Sequence, residues 1–257
     1  MSPANSPSTT AAARMPPQRT GPPHDGPRRP AVAHAACSAL LLLGALLYTT
    51  WTVETFLPTR LSPLRTYVSE LAATDQPYGT FFRSFDLLAG LLVLAGALSA
   101  LGWLRCRGRA AAGWTGIALF GAATVVDSRL PLSCAPTVDA GCLARQAAGD
   151  VPWTHTAHTV SSGLAVAGAL AGMVLLTVVA RREPVVWPAL ARSGPVFLVL
   201  ELAATAWTLA SVAAFESGHG TWGLGAGQRL QVLFIAVWIA VLAWSLAAAA
   251  ASAARRG

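Results

Sequence analysis

The sequence contains no lysine: all 18 basic residues are arginine. Charge of either sign is scarce, at 11% of the 257 residues against 54% hydrophobic. A soluble domain carries about 25% charged residues. The shortfall excludes an ordinary soluble fold and points to a membrane protein. Nucleotide and cofactor fingerprints are missing as well. There is no Walker loop, no GxGxxG after a strand, no GxSxG and no CxxCH, so ATP hydrolysis, dinucleotide binding and covalent haem attachment have no support. A net charge of +7 would suit nucleic acid. The arginines, however, fall in short groups between apolar stretches, which is how membrane topology is written. No nucleic-acid partner is expected.

What the chain does have is long apolar runs. A helix needs about 20 apolar residues to cross a bilayer, and six stretches qualify or nearly so: Ala35 to Val53, Leu87 to Leu104, Ala110 to Val126, Thr156 to Ala180, Ser193 to Phe215 and Leu230 to Ala254. The expected fold is all-α, an integral membrane bundle of six transmembrane helices in the lipid bilayer. The spans fall in a domain covering residues 34–257. Residues 1–33 are rich in Pro, Ser and Thr and lack apolar periodicity. Such a segment buries too little surface to offset its ordering entropy and reads as a disordered cytoplasmic tail. A cleaved signal peptide is not expected, because the first apolar run begins only after residue 34.

Arginine sets the orientation. Arg14, Arg19, Arg28, Arg29, Arg105, Arg107, Arg109, Arg181, Arg182, Arg192, Arg255 and Arg256 share one side, while Arg60, Arg65, Arg83, Arg129, Arg145 and Arg229 share the other. The positive-inside rule then places both termini in the cytoplasm of a multi-pass cell-membrane protein. Most acids fall on the outer side: Glu54, Glu70, Asp75, Asp86, Asp127, Asp139, Asp150 and Glu216. Cys134 and Cys142 share an outer loop and are expected to form a disulfide there, whereas Cys37 and Cys106 fall inside and stay reduced. Gly168 and Gly172 form a GxxxG, read as a helix contact within the monomer.

The first outer loop, Glu54 to Arg83, carries Leu64, Tyr67, Val68 and Leu71 at helical spacing. A short amphipathic helix is expected there, on the outer surface or folded against the bundle mouth, with Ser69 and Glu70 facing the bundle. The stretch TYVSELAATDQPYGTFFRSFDLLAG, residues 66–90, resembles the signature of the DUF998 membrane proteins. VVDSRLPLSC, THTAHTVSSG and GLGAGQRL are similar to that family's pattern in the same order. The resemblance implies a polytopic helical membrane protein and brings no substrate, cofactor or catalytic residue with it.

Polar titratable groups at a membrane boundary are expensive and call for an explanation. Asp127 ends the third span, and His155 and His158 begin the fourth, on one helical face. Together they form a candidate ligand set for a divalent metal such as zinc. Histidines at a helix start also bond loop carbonyls or titrate as pH sensors. Ser69, Glu70, Asp86, Glu216 and Arg229 are expected near the same outer polar pocket. Arg229 is also a candidate ion-pair partner of Glu216 or Asp127. Glu201, inside the fifth span, must face protein or be protonated; proton coupling is one role for it, and a hydrogen bond from Thr205 or Trp207 is the simpler expectation. Besides a structural role in a membrane complex, two functions remain open. One is binding, sensing or transporting a small molecule or ion at an outer-facing pocket. The other is a metal-dependent membrane-embedded hydrolase using Asp127, His155 and His158.

Overall fold

The computed structural model describes residues 28–104 and 106–255. Of the expected disordered tail, residues 1–33, residues 1–27 lie outside the described residues and residues 28–33 begin the first helix instead. Six long apolar helices have the length and composition to cross a membrane, and no strand occurs among the described residues. In lipid every backbone polar group must pair internally, which leaves the helix as the solution for an alanine- and leucine-rich chain. The spans are α1 (Arg28–Tyr48), α2 (Gly79–Trp103), α3 (Gly108–Asp127), α5 (Trp153–Arg182), α6 (Pro188–Glu216) and α7 (Leu224–Ala254). A short surface helix, α4 (Ala140–Ala147), lies between α3 and α5. The first helix begins at Arg28, ahead of the apolar run that marks it in the sequence. A 3-10 segment, Thr50–Phe56, extends it to a 25-residue span.

The helices form an up-and-down ring. α1 packs on α2 and α7, α2 on α3, α3 on α5, and α6 on α7. The ring closes between α5 and α6, its sparsest seam. Small residues set the tight contacts, because lipid offers no hydrophobic drive between helices and close backbone approach must supply the packing. A Cβ on Gly116 would lie 2.7 Å from the Gly172 nitrogen, and one on Gly168 would lie 2.7 Å from the Phe120 nitrogen. The α5 GxxxG therefore packs against α3 in the same chain. Gly90 and Gly121 bring α2 and α3 together in the same way.

The core is filled by Trp114, Phe120, Ile117, Met173, Leu176 and Trp238, all buried. Some polar groups inside it are paired: the Trp238 indole donates to Thr177, and the Ser38 hydroxyl donates to the Ala243 carbonyl, while the Trp114 indole N–H has no partner among the described residues. The Leu190 N–H, near the start of α6, donates to Ser245 on α7. Leucine and valine side chains, among them Leu43, Leu98, Leu119 and Val199, point outward as a lipid-facing surface.

One end of the ring carries the Cys134–Cys142 disulfide, with Cα atoms 6.0 Å apart. Two loops are knitted over this disulfide end. The short helix of the first loop is a 3-10 turn, Val68–Ala72, folded against the bundle, with Leu71 and Ala72 buried beside Phe82 and Ala135. Thr74 ties the loops by donating its N–H to the Leu132 carbonyl and its hydroxyl to the Ser133 carbonyl. Glu70 is fully buried and accepts the Thr137 N–H at 2.8 Å together with the Thr137 hydroxyl.

Candidate functional site

Asp127 is the last residue of α3. A carboxylate at a helix C-terminus faces the negative end of the macrodipole and needs donors from elsewhere. The first turns of α5 supply them. The Ser161 hydroxyl donates to Asp127 Oδ1, and the Ser162 hydroxyl lies 3.0 and 3.1 Å from the two carboxylate oxygens. His158 Nδ1 is 3.2 Å from Asp127 Oδ1 and 2.9 Å from the Leu130 carbonyl oxygen. A carbonyl only accepts, so Nδ1 carries a proton. His158 Nε2 is left facing the Ser162 hydroxyl at 3.4 Å.

His155 is turned to other partners. Its Nδ1 accepts the Ser133 N–H at 3.1 Å and faces the Ser133 hydroxyl at 2.9 Å. With Nδ1 accepting, the proton of the neutral ring sits on Nε2, which donates to Gln146 Oε1 at 3.2 Å. Both nitrogens are thereby occupied. Gln146, on α4, also lies 3.5 Å from Glu216 on α6, so α4 reaches across α5 and α6 at the disulfide end. The structure brings Asp127 and His158 together and leaves His155 in a separate hydrogen-bond chain. Among the described residues no group of three His, Cys, Asp or Glu side chains is arranged to hold a metal ion. The donor set proposed for zinc does not fit that role, because His155 offers no free lone pair toward Asp127.

Ser162, His158 and Asp127 have the composition of a nucleophile, a base and an orienting acid, but not their connectivity. The serine hydroxyl donates to the carboxylate, which is nearer than the imidazole. In a working triad it would donate to the histidine.

Two cavities meet at this cluster. The smaller, about 110 Å³, lies within the ring and is lined by Asp86, Asp127, His158, Arg83, Trp51 and Tyr48 among others. The larger, about 500 Å³, lies at the α5/α6 seam, walled by Val166, Leu170, Leu209 and Val212 with Thr208 and Glu216. Ser69, His158, Ser162, Gln228 and Gln231 line both. Among the described residues Arg83 forms no ion pair with the carboxylates of the smaller cavity. Its guanidinium donates to the Ala72 carbonyl at 2.5 Å and to the Thr80 hydroxyl at 3.0 Å. Asp86 has no hydrogen-bond partner among the described residues. The Thr208 hydroxyl and the Trp51 indole N–H, on the larger and the smaller cavity, are buried and without partners in the described residues.

The remaining expected pocket residues are placed differently. Arg229 pairs with neither Glu216 nor Asp127. It forms a two-pronged bond with Glu54, at 2.5 and 2.7 Å, and donates to the Thr66 and Gly225 carbonyls. Glu70 is committed to Thr137 and lines neither cavity. Burial pushes its carboxyl above the usual range, against the hydrogen bonds from Thr137, which favour the ionised form. Glu201 accepts from Thr205 at 3.1 Å, while Trp207 donates to the Trp222 carbonyl. Ser161, Ser162, Gln228 and Gln231 were not singled out from the sequence as site residues. The spacing of His158 and Ser162, one helical turn apart, is the signal that marks them.

No curated protein and no solved structure matches the chain. A family model described as a protein of unknown function, DUF998, matches residues 41–245. That match takes in all six spans in whole or in part, together with both cavities, and the chain belongs to the DUF998 family of multi-pass membrane proteins.

Proposed function

We propose that the protein binds a small cationic molecule in the polar cavity at the disulfide end, as a membrane receptor or carrier. The observation that carries this reading is the smaller cavity. It presents two carboxylates, Asp86 and Asp127, while its one arginine is spent on backbone carbonyls. Charged groups at membrane depth are costly and mark ligand or ion pathways by default. An organic ammonium group would meet Asp86, which has no other partner, and the free face of Asp127. The arginine distribution supports a cell-membrane location with both termini cytoplasmic, so that the cavity faces the outside.

The test uses purified protein in nanodiscs and butylammonium chloride as probe, with sodium butyrate as the charge-reversed control. Butylammonium is expected to raise the unfolding temperature of the wild type and not that of Asp86→Asn or Asp127→Asn. Equal effects of the two salts, or an ammonium effect that survives both substitutions, would refute the reading.

A further inference from the structure

The larger cavity has a shape and a position that the smaller one lacks. It follows α5 from His155 to Leu170, about 22 Å at the rise of an α-helix, which is most of the ~30 Å hydrocarbon core of a bilayer. It opens where the ring is least closed, between α5 and α6. Gly163 and Ala167 line it from α5 and are exposed on the lipid-facing surface. A Cβ built on Gly163 meets nothing within 4 Å, so the mouth is open at that point. Its walls at depth are apolar, from Val166, Leu170, Leu209 and Val212. Polar groups gather on its inner side: His158, Ser162, Gln228 and Gln231, which it shares with the smaller cavity. Thr208, 6% exposed and on the cavity wall, has a hydroxyl with no partner in the described residues.

From this geometry we propose that the larger cavity binds a single-chain amphiphile with a cationic head, which enters sideways from the bilayer between α5 and α6. The chain lies along α5 and the head reaches through the shared wall to Asp127 and Asp86. The proposal rests on the cation-binding reading above and adds the ligand class and the route. An alkyl chain gains little on leaving lipid for this cavity, since lipid tails are as apolar as leucine. Discrimination therefore falls to the head, where the two carboxylates favour a cation and disfavour an anion on the same chain.

The experiment uses nanodiscs carrying dodecylamine with a diazirine in its tail, compared with the dodecanoate of the same tail, and mass-spectrometric mapping of the labelled residues. Saturable labelling by the amine is expected between Gly163 and Leu170 and between Leu209 and Val212, with the carboxylate excluded from these sites. Gly163→Trp and Gly163→Leu both place a side chain in the open mouth and should abolish it. Gly102→Trp adds bulk at another exposed position with open space around it, and should leave it intact. Labelling spread over outward-facing residues such as Leu43, Leu98 and Leu119, or seam labelling unchanged in both Gly163 variants, would overturn the proposal. So would equal seam labelling by amine and carboxylate. If butylammonium binds in an Asp127-dependent way while the Gly163 variants still label, the lateral route fails and the polar pocket stands. If butylammonium does not bind but seam labelling by the amine alone is lost in the Gly163 variants, the pocket reading fails and the route stands.

Discussion

Ser162 on α5 shares its hydroxyl with both oxygens of Asp127 at the end of α3, at 3.0 and 3.1 Å. This bond, and the companion bond from Ser161, make Asp127 an acceptor held in place rather than the far member of a catalytic relay. Removing one donor from this half-buried carboxylate leaves part of it unsatisfied, which costs about 1 kcal/mol. Ser162→Ala should therefore lower the stability of purified protein by about that much in a chemical unfolding titration. In the wild-type protein, a serine-reactive fluorophosphonate should leave Ser162 unlabelled. Labelling there would favour the hydrolase alternative.

Arg229 and Glu54 are both buried and bonded through two parallel contacts. The pair joins the start of α7 to the segment that extends α1, and its remaining guanidinium hydrogens hold the first loop through Thr66. Breaking such a pair strands a buried charge at about 3–5 kcal/mol, whereas replacing both partners by apolar residues is often neutral. Glu54→Gln alone should sharply lower the thermal midpoint in detergent. The double variant Glu54→Leu with Arg229→Met should recover most of the loss. If the double variant is as unstable as the single one, the pair supplies more than charge compensation.

The six spans were legible in the sequence because their signal is local: runs of apolar residues bounded by charge, with arginine distributed between the links. The Asp127–His158 contact was legible as well, because a link pinned by the Cys134–Cys142 disulfide joins the end of α3 to the start of α5. The partner of Arg229 was not. Glu54 lies at the far end of the sequence, and only closure of the ring through α1 and α7 brings it near. The metal reading failed for a related reason. His155 and His158 share a helical face, but side-chain direction is settled by Ser133 and Gln146, whose positions depend on the disulfide loop. The cavity at the α5/α6 seam has no sequence signature, since it arises where two helices pack only sparsely.

Gly116 and Gly168 allow α3 and α5 to approach closely enough for Asp127 and His158 to meet. Any side chain at either position would push a Cβ to 2.7 Å from a backbone nitrogen of the facing helix. Overpacking of this kind costs about 1–3 kcal/mol, occasionally more. Gly116→Leu should destabilise the bundle by at least that much and weaken probe binding. Gly102→Leu, at an exposed position with no neighbouring atom, should do neither. Comparison of the two unfolding midpoints gives the answer directly.

Glu70 lies outside the spans, and burial raises its carboxyl above the ordinary value of 4.5. A folded-state pKa above the unfolded one means that the folded protein binds the extra proton. The resulting stability is fully present below the unfolded value and is lost as pH rises through the raised folded value. The contact between the 3-10 turn and the disulfide loop should loosen over that window. Hydrogen exchange of residues 68–74 and 132–138 should speed up as pH climbs from 4.5 beyond what the intrinsic exchange rate explains. Glu70→Gln should remove this excess while keeping an acceptor for Thr137.

The Cys134–Cys142 bond closes a short loop, with a sequence separation of 8, for which a chain-entropy estimate gives about 2–3 kcal/mol. The loop carries Thr137, which holds Glu70, and Ser133 just ahead of it holds His155. Cys134→Ser with Cys142→Ser should therefore destabilise the protein by about that amount and increase exchange at the start of α5. The same bond tests orientation. In intact cells, a membrane-impermeant reductant should expose both thiols to an impermeant maleimide if the proposed orientation, drawn from the arginine asymmetry, is correct. Cys106, on the arginine-rich side, should react only after the membrane is permeabilised. Labelling of Cys106 in sealed cells, with Cys134 and Cys142 protected from the reductant, would invert the topology and turn the cavity toward the cytoplasm.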